Sequence, residues 1–333
     1  MIVPKFLKKN STIGIVAPSD CFPSGKYKTA ALRGAKKLES LGYSIKYAPS
    51  CFNSINGRSN DAKTRAKEFV DMYFDDSIDA LIAISGGEYE MEILDYLPLR
   101  KMKKHPKLFC GYSDNTVLSF VLLTNLEMIN IYGHNLYELA HEHEVINNYL
   151  KAIQGKFLPL EEIKDVADKD YDYENKIIKS KYRINYRCDW KVYNSKDIDV
   201  KGIMIGGLID NLYYIHKTKY DKVRRFIRKY RDDGFIWCFD ICLFSPDKVR
   251  QALKKFKESG WFKNAKAIMF GRTIIKNKKY EQYILKELKE LNVPIVLDVN
   301  VSHIPPSYHI VNGKRVRLKY TSGKGKINYL EER

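Results

Sequence analysis

Between residues 12 and 126 the chain alternates short apolar runs with stretches of helical spacing, and each apolar run stops in a turn. Thr12–Ala17 reads as a strand closed by Pro18-Ser19-Asp20. Residues 26–41 carry a helical pattern up to Gly42, SIKYAP reads as the next strand, and 61–73 is helical again. Ile78–Ile84 is apolar and strand-sized, stopped by Ser85-Gly86-Gly87, and a helix is expected through about residue 96. The strand Lys107–Cys110, the turn Gly111-Tyr112-Ser113-Asp114 and an apolar helix to about Leu126 complete the series. An alternation of this length predicts βαβ units, a mostly parallel sheet and helices over its faces.

The pattern changes further on. Residues 1–136 read as one α/β domain, 137–199 as a polar connector without sustained period, and 200–333 as a second α/β domain. A length of 333 residues suits two domains. The second begins with the strand Gly202–Ile205, then Gly206-Gly207 and a helix LIDNLYYIH. A basic amphipathic segment at 221–231 precedes the strand Phe235–Phe239. Ser245-Pro246-Asp247 has the form of a helix cap with proline in the first turn. The strand Ala265–Phe270, a helix at 279–290 and the strand Val293–Leu297 follow. YHIVNGKRVRLKY reads as a closing hairpin around Asn312-Gly313.

Several function classes lose support here. No apolar run approaches the 18 residues of a membrane helix, and the first twenty residues lack a secretory signal pattern, so a cytoplasmic location is expected. The six cysteines form no C-x-x-C pair and read as free thiols. HEHE at 141–144 lacks the H-E-x-x-H spacing of zinc peptidases, and no loop has a phosphate-binding or dinucleotide glycine pattern, so no metal or cofactor is expected. The net charge of +18 is spread over lysine-rich segments that read as solvated faces rather than as a nucleic-acid footprint.

In an open parallel sheet, ligands bind beyond the carboxyl ends of the strands. Ser113 lies there, in a tight turn between an apolar strand and an apolar helix. Its hydroxyl suits either an ordinary N-cap or a nucleophile. In the second case the N–H of Asp114 and one from Gly86-Gly87 could face a developing oxyanion, although a glycine pair is as often simply a turn. Asn115 stands where G-x-S-x-G would have its second glycine. A serine nucleophile needs a histidine base held by a carboxylate. His105, His141, His143 and His216 read as solvent-facing, His134 follows a strand, and His309 belongs to the closing strand. His303, in VSHIPPS after IVLDV, is a natural base. Asp240 ends the strand FIWCF and fits either a cap or a buried partner.

Together these segments resemble the LD-carboxypeptidase family of serine peptidases, which includes the microcin C immunity proteins. The resemblance rests on Ala17-Pro18-Ser19, Arg65, FDDSIDALIAISGG, GYSD at 111–114, GIMIGGLIDNL at 202–212, FIWCFD at 235–240, GWFKNAKAIMFGR at 260–272 and the histidine loop at 302–306. It implies a flavodoxin-like N-terminal domain, a smaller C-terminal α/β domain, and a cytosolic, metal-independent, commonly homodimeric enzyme. Ser113 would be the nucleophile, His303 the base and Asp240 the acid, with an oxyanion hole from Gly86, Gly87 and Asp114. Ser19, Arg65, Glu88, Tyr112 and Arg272 are the candidates for holding a small peptide with a free carboxylate. Family members release terminal D-alanine from murein tetrapeptides or, in the immunity branch, cleave adenylate-like antibiotics. This chain departs from the family in having Asp240 for glutamate, Ser302 for glycine, Glu88 for an uncharged residue, and GHN at 133–135 for a Gly-Pro pair, which leaves a catalytically weakened peptidoglycan-fragment binding protein as a rival reading.

Overall fold

A computed structural model describes residues 1–167, 181–275 and 277–331. They form two compact units, one comprising Met1–Lys156 with 181–182, the other 157–167 and the chain from Arg183 onward. No helix among the described residues is long and apolar enough to cross a membrane.

The first unit has five parallel strands: β1 (Thr12–Val16), β2 (Ser44–Tyr47), β3 (Ala80–Ala83), β4 (Leu108–Gly111) and β5 (Asn130–Tyr132). Their order is β2-β1-β3-β4-β5, the flavodoxin-like order. The order in which strands are added reverses between β1 and β3, so a crevice opens at their carboxyl ends. Helices α1 (Gly25–Ser40), α2 (Ala62–Phe74), α3 (Leu99–Lys104), α4 (Thr116–Leu126) and α5 (Glu144–Ala152) connect and follow the strands. Asp61 caps α2, its carboxylate accepting from Thr64 N at 3.0 Å. Helix α4 is apolar all round, and ten of its eleven residues are buried.

Two expectations change here. The helix after Gly87 is a 3-10 segment, Glu90–Tyr96, with α3 separate beyond Pro98. The polar stretch 137–199 is not one connector. Its start packs into the first unit as α5, which buries Val145, Ile146, Tyr149, Leu150 and Ala152 at helical spacing. Residues 168–180 of that stretch lie outside the described residues.

The second unit is built on a mixed sheet. Its edges include β6 (Leu160–Glu161) and β9 (Lys191–Tyr193), while β7 (Asp165–Val166) and β8 (Tyr186–Arg187) pair as a separate two-stranded sheet. The centre is β10 (Ile198–Leu208), β11 (Phe235–Asp240), β12 (Ala265–Gly271) and β13 (Ile295–Val299), all parallel. Helices α6 (Ile209–Ile215), α7 (Val223–Lys229), α8 (Pro246–Glu258) and α9 (Lys279–Leu288) lie between them. Ser245 caps α8 with Pro246 in its first turn, as its sequence predicts. Trp261 stacks on Phe256 at 4.2 Å and on Trp237 at 5.9 Å, forming an aromatic core under the sheet.

After β14 (Ile310–Asn312), the turn at Asn312-Gly313 forms, with Gly313 at φ 89°, but it does not make the expected hairpin. Instead β15 (Arg315–Thr321) pairs antiparallel with β10 and with β16 (Lys324–Tyr329) around Ser322-Gly323. Pairing with β10 buries Val316 and Leu318, which a two-stranded ribbon at 310–320 would leave half covered.

Candidate active site

In the first unit, three turns converge at the carboxyl ends of β1, β3 and β4. Ser113 leaves β4 at φ 62°, a left-handed conformation that a non-glycine residue adopts only under constraint. The constraint comes from Asn115, whose amide donates to Tyr112 O at 2.9 Å and to Ser85 O at 2.8 Å. Asn135 closes the arrangement by accepting from Tyr112 N at 2.9 Å and from the Asn115 amide at 3.2 Å. Asn115, which stands where G-x-S-x-G would have glycine, and Asn135 of the GHN segment are the residues that hold the serine turn; in sequence each is a short amide side chain beside a strand end.

Gly86 lies directly against that serine. A Cβ on Gly86 would come to 2.9 Å from Ser113 Cβ and 3.2 Å from its Oγ, so glycine is required for this approach. Gly86 O also accepts from Asp20 N at 3.1 Å, joining the first turn to the second. Gly87, at φ 140°, is exposed, as is Glu88. Ser19 is wholly buried; its hydroxyl donates to Asp114 Oδ2 and accepts from Tyr89 N at 3.0 Å. Asp114 Oδ2 also accepts from Glu90 N at 2.9 Å. Tyr112 is buried against the Tyr132 ring, with centroids 5.1 Å apart.

Arg65 is buried and its guanidinium is engaged inside the unit. It donates to Asn60 O, Pro18 O and Tyr89 O and pairs with Glu92, which also takes Arg58 at 2.6 Å. Arg65 therefore ties the Pro18 and Tyr89 loops together. Glu90 escaped sequence reasoning. It is fully buried, with Oε2 accepting from Leu118 N at 3.1 Å in the first turn of α4. Burial pushes its carboxyl well above the ordinary carboxylate range, and the Asp114 charge adds to that.

In the second unit, Asp240 is the last residue of β11 and His303 lies in the loop after β13. Asp240 Oδ2 stands 2.8 Å from His303 Nδ1, and both side chains are buried. Burial works against the charged imidazole. The Asp240 carboxylate and the neighbouring Cys242 side chain outweigh it, so the His303 pKa lies well above the ordinary histidine value. The one-methylene-shorter acid thus reaches its histidine.

The histidine loop lies close against the end of β12. A Cβ on Gly271 would overlap Val301 O, so glycine at the end of β12 admits the loop backbone. Arg272 is buried and donates to Ile304 O at 2.8 Å and Pro306 O at 2.6 Å. Ser302 Oγ donates to Ile304 O at 2.9 Å, and Ser307 Oγ accepts from Ser302 N at 2.9 Å. A cavity of about 590 Å³ adjoins this loop, bordered by Ile241, Ile304, Arg272, Tyr186, Arg187 and Lys191.

The other histidines divide. His105 is exposed and His143 half-buried, but His141 and His216 are buried, contrary to their solvent-facing appearance in sequence. His216 packs on Phe256 and Trp261 and its Nε2 lies 2.6 Å from Ser259 Oγ. His134 and His309 are buried too, His309 parallel to the Tyr329 ring. All six cysteines are free, and no group of three potential metal ligands occurs among the described residues.

The LD-carboxypeptidase N-terminal domain matches residues 13–133 and the LD-carboxypeptidase C-terminal domain residues 201–318. YocD of Bacillus subtilis (strain 168), which carries a carboxypeptidase name, is 25% identical over 329 residues, covering 96% of this chain and 97% of its own. The microcin C7 self-immunity protein MccF of Escherichia coli is 25% identical over 198 residues, 56% of this chain and 55% of its own. Among solved structures, MccF in complex with glutamyl sulfamoyl guanosine superposes with a TM-score of 0.81 at 20% identity, covering 99% of this chain and all of that one. An MccF-like protein from Bacillus anthracis str. Ames gives 0.80 at 18% identity, with both chains fully covered. The two matched domains span most of the sequence, and the chain belongs to the LD-carboxypeptidase (peptidase S66) family.

Proposed function

We propose that the protein is a serine carboxypeptidase that hydrolyses the amide bond before a terminal D-amino acid of murein peptides. The observation that carries this reading is the buried Asp240–His303 pair at 2.8 Å. A carboxylate on Nδ1 fixes the tautomer and leaves Nε2 as the nitrogen that takes a proton. In this mechanism Nε2 accepts the Ser113 hydroxyl proton as Oγ attacks the scissile carbonyl. Backbone N–H groups of Asp114 and the Gly86-Gly87 turn stabilise the oxyanion. His303 then protonates the leaving amine, and water attacking the acyl-enzyme regenerates the serine. The strained Ser113 turn against Gly86 supports the nucleophile, because such a turn projects its hydroxyl from the sheet.

In this reading the enzyme works in the cytoplasm as a homodimer, on a small peptide with a free carboxylate, without metal or cofactor. Glu88 and Gly87, both exposed, are the parts of the first unit's turns that meet the substrate. A second reading, hydrolysis of peptidyl- or aminoacyl-adenylate-like compounds, is favoured by the likeness to MccF.

The test is incubation of the purified chain with a murein tetrapeptide ending in D-alanine, and separately with a peptidyl-nucleotide amide, followed by mass analysis. Loss of one alanine supports the first reading, and release of the nucleotide alone supports the second. Turnover of neither substrate overturns both. Ser113→Ala is expected to abolish whichever hydrolysis occurs while keeping the fold, and substantial residual turnover would remove Ser113 from its role.

A further inference from the structure

The turn that leaves Asp240 is held by a second buried carboxylate that the reaction itself does not use. Asp210 sits in the first turn of α6, just beyond the end of β10, and is 7% exposed. Leu208, two residues before it, is the register partner of Asp240 in the parallel β10–β11 pair. Asp210 Oδ1 accepts from Leu243 N at 2.7 Å and Phe244 N at 2.9 Å, while Oδ2 accepts a longer bond from Cys242 N at 3.4 Å. One carboxylate thereby takes three successive N–H groups of the segment joining Asp240 to the Ser245 cap. Tyr280 of α9 holds the same segment from its other side, its hydroxyl donating to Phe244 O at 2.5 Å.

We propose that Asp210 is a positioning residue for the acid–base pair, setting the 241–244 turn so that the short Asp240 side chain reaches His303. The inference rests on the serine-peptidase reading for its consequence in catalysis, but its structural content does not. Asp240 has two sources of placement, the β11 ladder behind it and the turn ahead of it. Asp210 holds the N–H groups of that turn and Tyr280 its Phe244 carbonyl, while the Cys242 side chain engages His303. A buried loop whose N–H groups lose their acceptor rearranges to recover one, and the strand end moves with it. A displacement near 1 Å at a reacting group costs roughly 10²-fold in rate.

Three substitutions separate this role from plain structural support. Asp210→Asn keeps an oxygen that accepts from both Leu243 N and Phe244 N and removes the charge. Asp210→Glu keeps the charge and displaces the acceptor by one methylene. Asp210→Ala removes the acceptor altogether. The first readout is the low-field proton resonance of the His303 Nδ1–H held by Asp240, assigned by its absence in His303→Ala. The second is kcat and KM on whichever substrate the enzyme turns over.

The Asn variant is expected to keep the resonance and a kcat within about threefold of the parent. The Glu and Ala variants are expected to shift or lose the resonance and to drop kcat by roughly 10–100-fold, with KM within about twofold. If Ala does not fold, as judged by circular dichroism, the Glu variant carries the test. A Glu variant with an unchanged resonance overturns the proposal, as does a kcat loss with the resonance intact. If no substrate is hydrolysed by any form, yet the resonance moves as stated, the positioning role stands and the peptidase reading falls.

Discussion

Lengthening the acid, Asp240→Glu, is the substitution that best tests how the second unit sets its chemistry. Asp240 already brings Oδ2 to 2.8 Å from His303 Nδ1, with both groups buried. One more methylene advances the carboxylate by about 1.3–1.5 Å, which a hydrogen-bonded pair cannot absorb along its own axis. Glutamate must fold back into a packed interior or push the histidine loop away from β12. That loop is pinned by Arg272 on Ile304 O and Pro306 O and by the close approach at Gly271, so its yielding disturbs several bonds together. Overpacking of this kind costs about 1–3 kcal/mol of stability. The histidine displacement predicts a fall in kcat/KM of roughly 10–100-fold, or about 1.4–2.7 kcal/mol of transition-state stabilisation. Asp240→Ala, which leaves the imidazole without its carboxylate, is expected to lose more, on the order of 10⁴-fold. The assay is kcat/KM for each variant on whichever substrate the protein turns over, with a thermal melt of each. A glutamate variant as active as the parent, or more so, would refute the argument and show that the short side chain limits the natural enzyme.

Gly86→Ala places a methyl about 0.5 Å inside normal contact with Ser113 Cβ, so kcat should fall by one to two orders of magnitude; activity within twofold of the parent would mean the two turns are not rigidly apposed. Glu90→Gln tests the raised carboxyl. Between the ordinary value and the raised one, the folded protein holds a proton that the unfolded chain has released, so stability falls as pH rises. The glutamine variant, which keeps an acceptor for Leu118 N, should gain Tm relative to the parent from about pH 5 to 8, and a constant gap would contradict this. His303 must be neutral to act as a base and its pKa is raised, so kcat/KM should climb with pH through a midpoint above ~6.5; a midpoint below that value would place the essential base elsewhere.

Much of this protein is local information. The apolar runs and helical spacing between 12 and 126 place β1 to β4 and helices α1, α2 and α4 to within a few residues, while the helix expected after Gly87 is a 3-10 segment. Ser245-Pro246 announces its own helix because a cap and its first turn are adjacent in the chain. The Ser113 turn is visible for the same reason. What could not be read locally is which side chains those turns engage. Arg65 and Arg272 look alike in sequence as cations for a substrate, yet both spend their donors on main-chain carbonyls of neighbouring loops. His141 and His216 sit in polar or basic segments, and burial comes from elements 43 residues away in the case of Ser259 and His216. Asn115, Asn135, Glu90 and Asp210 matter through partners 20 to 34 positions distant. The sequence by itself determined the strand and helix alternation, the turns and the residue types of the chemistry. The tertiary structure alone decided that Ser113 adopts a left-handed backbone against Gly86 and that Asp240 reaches His303. Each depends on loops from separate strands meeting at the end of its own sheet, and no periodicity within a single segment carries that distance.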